Sequence, residues 1–216
     1  MKEKAPIRWM VSGPSGSGKT SFVKKLLYNL EEIFVQPVNN IVICYGTYQP
    51  LYDEIRKHFP KEVKFVHGLP NYIESYINNP KVHDLLIIDD LMQEISKSDF
   101  YLNLQMKFSH HWNCSIITLL HNLFFPSKHL RTCSLQQTGF VLFKTIRGSQ
   151  QVQVLGKQIF PGKNKFLRES FEDATTDPYS YLFINMSQEC PDCLRIRGNI
   201  FPYELMTAYR PKTDQW

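Results

Sequence analysis

A chain of 216 residues with 43% hydrophobic and 21% charged side chains can bury a substantial core without metal or disulfide support, which excludes a disordered or fibrous polypeptide. Its net charge of +5 suits contact with nucleic acid without requiring it. Five cysteines without framework spacing predict reduced thiols and an intracellular address. With no internal repeat or low-complexity tract, residues 1–216 read as one domain.

The first eleven residues carry basic side chains and a short apolar run, too little for a secretory leader. That run, over 7–11, predicts a β-strand, and it leads directly into Gly13-Pro14-Ser15-Gly16-Ser17-Gly18-Lys19-Thr20. The spacing is that of a phosphate-binding loop. Successive backbone N–H groups can wrap a triphosphate only where glycine keeps side chains out of the way, Lys19 reaches the β and γ phosphates, and Thr20 offers its hydroxyl to Mg²⁺. A helix is expected to begin near Ser21, with Phe22, Val23, Leu26, Leu27, Leu30, Ile33 and Phe34 at helical spacing. Its N-terminus adds partial positive charge to the same anion. The order strand, loop, helix makes the chain a nucleoside-triphosphate binder, with Gly13 through Ser21 as the phosphate cradle.

A β-branched apolar run predicts a strand over 40–45, followed by a helix over 51–59, a strand over 63–67 and a short helix over 71–77 that the Asn79-Pro80 breaker ends. Residues 85–88 form an apolar strand that delivers Asp89 and Asp90 to its carboxyl end, where ligands bind in open α/β sheets. Asp89 is expected to hold Mg²⁺ through water. A helix over 93–110 and a buried strand over 115–120 follow, the strand closing on His121 and Asn122. Polar residues there would sense the γ phosphate or the attacking water, and a turn role is the other reading of Asn122.

Residues 116–125 are strongly apolar, but His121, Asn122 and then Pro126 interrupt the run well short of the ~20 residues that span a bilayer, so a soluble protein without membrane contact is expected. A further strand is predicted over 140–145, with Arg147 just beyond it, and late strands over 179–185 and 194–200 flank the turn Cys190-Pro191-Asp192-Cys193. One C-x-x-C without a second pair would need metal ligands from elsewhere. The basic clusters Lys157, Lys163, Lys165, Arg168 and Arg195, Arg197 read as solvated faces or polyanion contacts. Strands alternating with helices, and a strand lying between the two nucleotide motifs, predict a three-layer α/β fold with a mostly parallel central sheet, of the RecA-like, additional-strand P-loop branch.

Further residues stand in an ordered set: Cys44-Tyr45-Gly46-x-Tyr48-Gln49-Pro50, the segment 86–92, Ser109-His110-His111 and Asn122-Leu123-Phe124. Arg131-Thr132, Phe143-Lys144-x-x-Arg147, Asp173-Ala174-Thr175, Asp177-Pro178-Tyr179 and Arg197-x-Asn199-Ile200-Phe201 continue it over nearly the whole chain. The set resembles the viral genome-packaging ATPases of the FtsK/HerA superfamily, as carried by Polinton-type elements and adintoviruses, relatives of the poxvirus and adenovirus packaging ATPases. The resemblance implies ATP hydrolysis, with Mg²⁺, coupled to translocation of double-stranded DNA into a preformed capsid. It also implies a homo-oligomeric ring, capsid or portal components as partners, and the host nucleus or a viral assembly site as location.

Two positions depart from the family's pattern. His121 stands where glutamine is common, and Asp90 stands where the wider superfamily has glutamate. In the implied mechanism Lys19 and the loop hold the triphosphate, and Thr20 and Asp89 hold Mg²⁺. Asp90, or else Glu94, activates water, and His121 or Asn122 senses the γ phosphate. Arg147 or Arg131 acts from a neighbouring subunit. A phosphate-loop nucleotide or small-molecule kinase and an NTP-binding assembly scaffold with weak turnover are the alternative readings.

Overall fold

A computed structural model describes residues 2–59, 63–145 and 148–211. Its strands are β1 (Arg8–Ser12), β2 (Val38–Tyr45), β3 (Val63–His67), β4 (His83–Asp89), β5 (Cys114–Leu120), β6 (Gly139–Phe143), β7 (Tyr181–Asn185), β8 (Ile196–Gly198) and β9 (Thr207–Ala208). They form one sheet in the order β3-β2-β4-β5-β1-β6-β7-β8-β9. The six strands from β3 to β6 are mutually parallel, and β7, β8 and β9 continue the sheet antiparallel. The expected α/β fold with a mostly parallel sheet is the one observed.

The side-chain period of two sorts each strand between two cores. Met10, Val42, Cys44, Leu86, Ile88 and Leu142 face one side, against Ile77, Tyr101, Leu130, Leu155 and Phe171 from helical segments. Trp9, Val11, Ile41, Ile43, Leu85, Ile87 and Phe183 face the other, against Phe22, Leu26, Leu27, Tyr52 and Ile55. Three layers follow from burial on both faces, which is why these strands read as nearly unbroken apolar runs.

The position of β5 sets the geometry of the site. It pairs with β1 through Arg8↔Ile116 to Ser12↔Leu120 and with β4 through Asp84↔Cys114 to Ile88↔Thr118, so it separates the phosphate-loop strand from the Asp89 strand. Three consecutive parallel strands therefore end at one edge, carrying the loop after β1, His121 after β5 and Asp89-Asp90 at the end of β4.

Several predicted elements differ. The helix over 93–110 is broken into Met92–Ile95, Asp99–Asn103, a π turn at Leu104–Phe108 and Ser109–His111. Ser98 adopts extended backbone and its Oγ accepts from the Tyr101 N–H at 3.0 Å, which starts a new helix within the apolar pattern. The first helix runs Lys19–Tyr28 and stops at Asn29, whose Nδ2 donates to the Lys25 carbonyl at 2.7 Å, and a short turn at Leu30–Ile33 follows. The strand predicted over 179–185 starts at Tyr181, because the Ser180 N–H donates to the Asp177 carbonyl in a turn. The strand over 194–200 shortens to β8, and that over 140–145 ends at Phe143. Helices Lys128–Ser134, Gly148–Ile159 and Asn164–Ala174, and strand β9, were not predicted. Among the described residues no helix is long and apolar enough to cross a membrane.

Candidate nucleotide site at the carboxyl edge of the sheet

The loop after β1 is fixed at both ends. The Gly13 N–H donates to the Leu120 carbonyl at 3.1 Å, the Ser17 N–H donates to the Pro14 carbonyl at 3.2 Å, and Gly18 enters the helix Lys19–Tyr28 with φ of 101°. Glycine adopts that left-handed angle without a Cβ penalty. Lys19 Nζ turns back to donate to the Gly13 and Pro14 carbonyls at 2.7 and 2.9 Å. Burial lowers the Lys19 pKa, while Asp89 and Asp90 oppose that shift.

At the end of β4, Asp89 is 3% exposed and its Oδ2 accepts from Thr20 Oγ1 at 3.2 Å, Tyr52 Oη at 2.6 Å and Gln49 Nε2 at 3.3 Å. Burial pushes its carboxyl above the ordinary carboxylate range, against the pull of the Tyr52 and Thr20 hydrogen bonds and the Lys19 charge. The donors are neutral, and among the described residues Asp89 forms no ion pair. Two hard oxygens from separate elements beside a phosphate loop suit a hard divalent cation such as Mg²⁺, and Thr20 and Asp89 could hold it.

Asp90 follows at a positive φ of 57°, which turns its side chain out of the strand. Its carbonyl lies against Gly46, where a Cβ would come within 2.2 Å of that oxygen, and the Gly46 N–H donates to the Asp89 carbonyl at 3.0 Å. Only glycine fits there. His121 Nε2 is 3.0 Å from Asp90 Oδ1 and its Nδ1 is 3.5 Å from Lys19 Nζ. Since Lys19 can only donate, the network assigns the ring proton to Nε2, which donates to Asp90. Lys19, His121 and Asp90 thus form a chain beside the Thr20–Asp89 pair.

These groups surround a cleft of about 520 Å³, lined also by Ser15, Gly16, Gly18, Ser21, Thr47, Gln49 and Tyr179. Other candidates lie elsewhere. Asn122 Oδ1 accepts from the Phe124 N–H at 3.0 Å, the turn role, and its side chain is not in the cleft wall. Glu94 accepts from the Leu69 N–H at 2.9 Å beyond β3, away from the cleft. Arg131 lies on the helix Lys128–Ser134 beside a separate groove with Leu123 and Phe125. Arg147 lies outside the described residues. The Cys190–Cys193 turn is organised by Arg195, whose guanidinium donates to the Asn185, Ser187 and Cys190 carbonyls at 3.0, 3.1 and 3.1 Å.

Sequence reasoning assigned no role to Tyr52, Gln49, Thr47 or Tyr179. Gln49 and Tyr52 reach Asp89 because β2 pairs directly with β4, Tyr45 opposite Asp89. Spacing between motifs carries no signal for that pairing.

No protein-family model matches the chain. Over 131 residues it is 30% identical to DNA packaging protein OPG160 of Variola virus and of Vaccinia virus strain Western Reserve, a match covering 54% of this chain and 46% of the relative. The same protein of Monkeypox virus matches equally over 41% of its length. The match thus spans about half the length of these relatives or less. Among solved structures, the genome packaging NTPase B204 from Sulfolobus turreted icosahedral virus 2, in complex with ATP-γ-S, superposes with a TM-score of 0.56 at 12% identity, covering 95% of this chain and 98% of that one. EssC (ATPases 2 and 3) from Geobacillus thermodenitrificans superposes with a TM-score of 0.54 at 10% identity over 82% of this chain and 37% of that one. The cytoplasmic domain of the Thermomonospora curvata type VII secretion ATPase EccC gives 0.52 at 11% identity, over 94% and 25%. The chain therefore has a fold shared with P-loop ATPases, and its sequence is distantly similar to a poxvirus DNA packaging protein.

Proposed function

We propose that the chain is the ATP-hydrolysing subunit of a motor that drives double-stranded viral DNA into a capsid. The observation that carries the reading is the Lys19–His121–Asp90 chain set beside Thr20 and Asp89 on one sheet edge. The similarity to DNA packaging protein OPG160 and the fold shared with a packaging NTPase support the coupling to DNA.

In this mechanism the loop amides and Lys19 bind and orient the β and γ phosphates. Thr20 and Asp89 hold Mg²⁺, which when bound supplies charge neutralisation at the phosphate oxygens. Asp90, oriented by the His121 Nε2–H, accepts the proton of the water that attacks the γ phosphorus, and ADP leaves as the bridging P–O bond breaks. No arginine among the described residues lines the cleft. A neighbouring subunit in a ring supplies one, Arg131 or Arg147, to neutralise developing charge.

The test is phosphate release with and without duplex DNA. DNA should stimulate it with no phosphorylated acceptor formed, and Lys19→Ala should lower it by about 10²-fold or more. Undiminished turnover in that variant would remove the site from the mechanism.

A further inference from the structure

Residues 157–168 hold Lys157, Lys163, Lys165 and Arg168 and no acid, a charge of +4 in twelve residues of a chain whose net charge is +5. The nucleotide cleft uses none of them. The fold gathers three of these cations into one place. The helices Gly148–Ile159 and Asn164–Ala174 pack side by side, and Gly156 sets how closely, since a Cβ there would come within 3.3 Å of Leu167 Cδ2 and 3.4 Å of Asn164 Cα. Gln153 and Lys157 stand one turn apart on the first helix and Asn164 and Arg168 one turn apart on the second, and with Lys165 they line a pocket of about 360 Å³.

Every residue in the wall of that pocket is a cation or an amide, with no acid and no aromatic or aliphatic side chain. Lys157 is exposed and forms no ion pair among the described residues. Lys165 and Arg168 pair within their own helix with Glu169 and Glu172, at 3.8 and 3.6 Å between exposed side chains. Pairs that long and that exposed hold weakly and leave donors for a further anion. The second helix starts without a capping side chain or an acid in its first turn, so its terminus adds partial positive charge to the same pocket.

We propose that this pocket between the two helices binds the phosphate backbone of duplex DNA, at a site separate from the nucleotide cleft. With no ring to stack on, it suits phosphates and not bases, which favours a duplex over an unstacked single strand. With no apolar wall, it lacks the anchor that a protein partner would need. The inference rests on the DNA coupling proposed above and adds to it where the duplex is held. The helix carrying Gln153 and Lys157 follows β6, whose last residue, Phe143, lies against the phosphate loop: a Cβ at Gly13 would come within 2.7 Å of Phe143 Cβ. One strand and one helix thus connect the pocket to the loop.

Fluorescence anisotropy of labelled duplexes of unrelated sequence, titrated with the full chain over a series of salt concentrations, tests it. Lys157→Gln, Lys165→Gln and Arg168→Gln together should weaken binding about tenfold or more for every sequence and lower the slope of log affinity against log salt by about 1 for each phosphate no longer neutralised. Phosphate release without DNA should stay within about twofold of wild type, while its stimulation by DNA is lost. Lys57→Gln, Lys81→Gln and Lys97→Gln, at three exposed lysines elsewhere, make the same change in net charge and should leave affinity within about threefold. No duplex binding by the wild type would overturn the DNA coupling and this inference together. Duplex binding that the two triple variants weaken equally, or that neither weakens, would overturn this inference alone. Polyglutamate displacing the labelled duplex as well as unlabelled duplex does at equal charge would also overturn it and give the pocket to an acidic protein. Melting temperatures of both triple variants monitor folding.

Discussion

Glu3 and Asp89 are both buried carboxylates, and burial pushes both above the ordinary carboxylate range, yet their partners differ in kind. Glu3 pairs with the buried Arg197 at 3.3 Å and accepts from Asn185 Nδ2 at 2.9 and 3.0 Å, which ties the start of the chain to β7 and β8. Its charge is answered within the protein. Asp89 is met by two hydroxyls and an amide, which orient it and leave its charge uncompensated by any ion pair among the described residues. A carboxylate buried for structure completes its pairing inside the fold. Asp89 is held in place by neutral donors, the arrangement that the proposed binding of a cation requires.

The largest effect that would sharpen this contrast is on the structural side. Arg197→Met leaves Glu3 buried with only the Asn185 amide, and removing one partner of a buried ion pair costs about 3–5 kcal/mol. Denaturant unfolding measures it, and a loss below about 1 kcal/mol would show that Glu3 does not depend on its arginine.

Asp89→Asn should act in the opposite sense on stability. With no internal cation to lose, the ligand-free protein should gain about 1 kcal/mol, or roughly 2–4 °C for a domain of this size, while Mg²⁺-dependent phosphate release falls by about 10²-fold or more. The gain should depend on pH. The raised folded value of Asp89 means that the fold favours its protonated form. That contribution is full below the ordinary value near ~3.9 and is lost as the pH rises through the raised value, so the variant's advantage should vanish in acid and grow toward neutrality. Thermal melts across pH check the sign, and an Asp89→Asn protein less stable than wild type at neutral pH would break the comparison.

A further effect, smaller than the loss of phosphate release, concerns the hydroxyl that holds Asp89. Tyr52→Phe keeps the ring in its apolar setting and removes a 2.6 Å hydrogen bond to a buried carboxylate, which should cost about 1–2 kcal/mol in chemical denaturation. An unchanged unfolding midpoint would mean that Tyr52 packs beside Asp89 without positioning it.

The parts of the site legible in the sequence are those that a few adjacent residues dictate. The phosphate loop is written in one short segment, Gly13 to Thr20, because the groups expected to bind phosphate are its own backbone N–H groups and the adjacent Lys19, and Asp89 is marked by the apolar strand that delivers it. The breaks at Asn29 and Ser98 are harder to read because capping side chains interrupt an apolar period that continues across them. The three unpredicted helices in the second half pack on one face of the sheet through residues such as Leu130, Leu155 and Leu167, and they draw their stability from that packing rather than from a strong local pattern.

From the chain alone came the α/β sheet, together with the expectation of a phosphate cradle and of Thr20 and Asp89 as a magnesium-binding pair, since local spacing and strand-length apolar runs carry those readings. Tertiary structure decided that β5 stands between β1 and β4, which puts His121 between Lys19 and Asp90. It also decided that Tyr52 reaches Asp89 and that Tyr179 overhangs Gly18. Those contacts join residues distant in sequence through strand order and packing, and no local pattern in a single chain encodes which strand lies beside which.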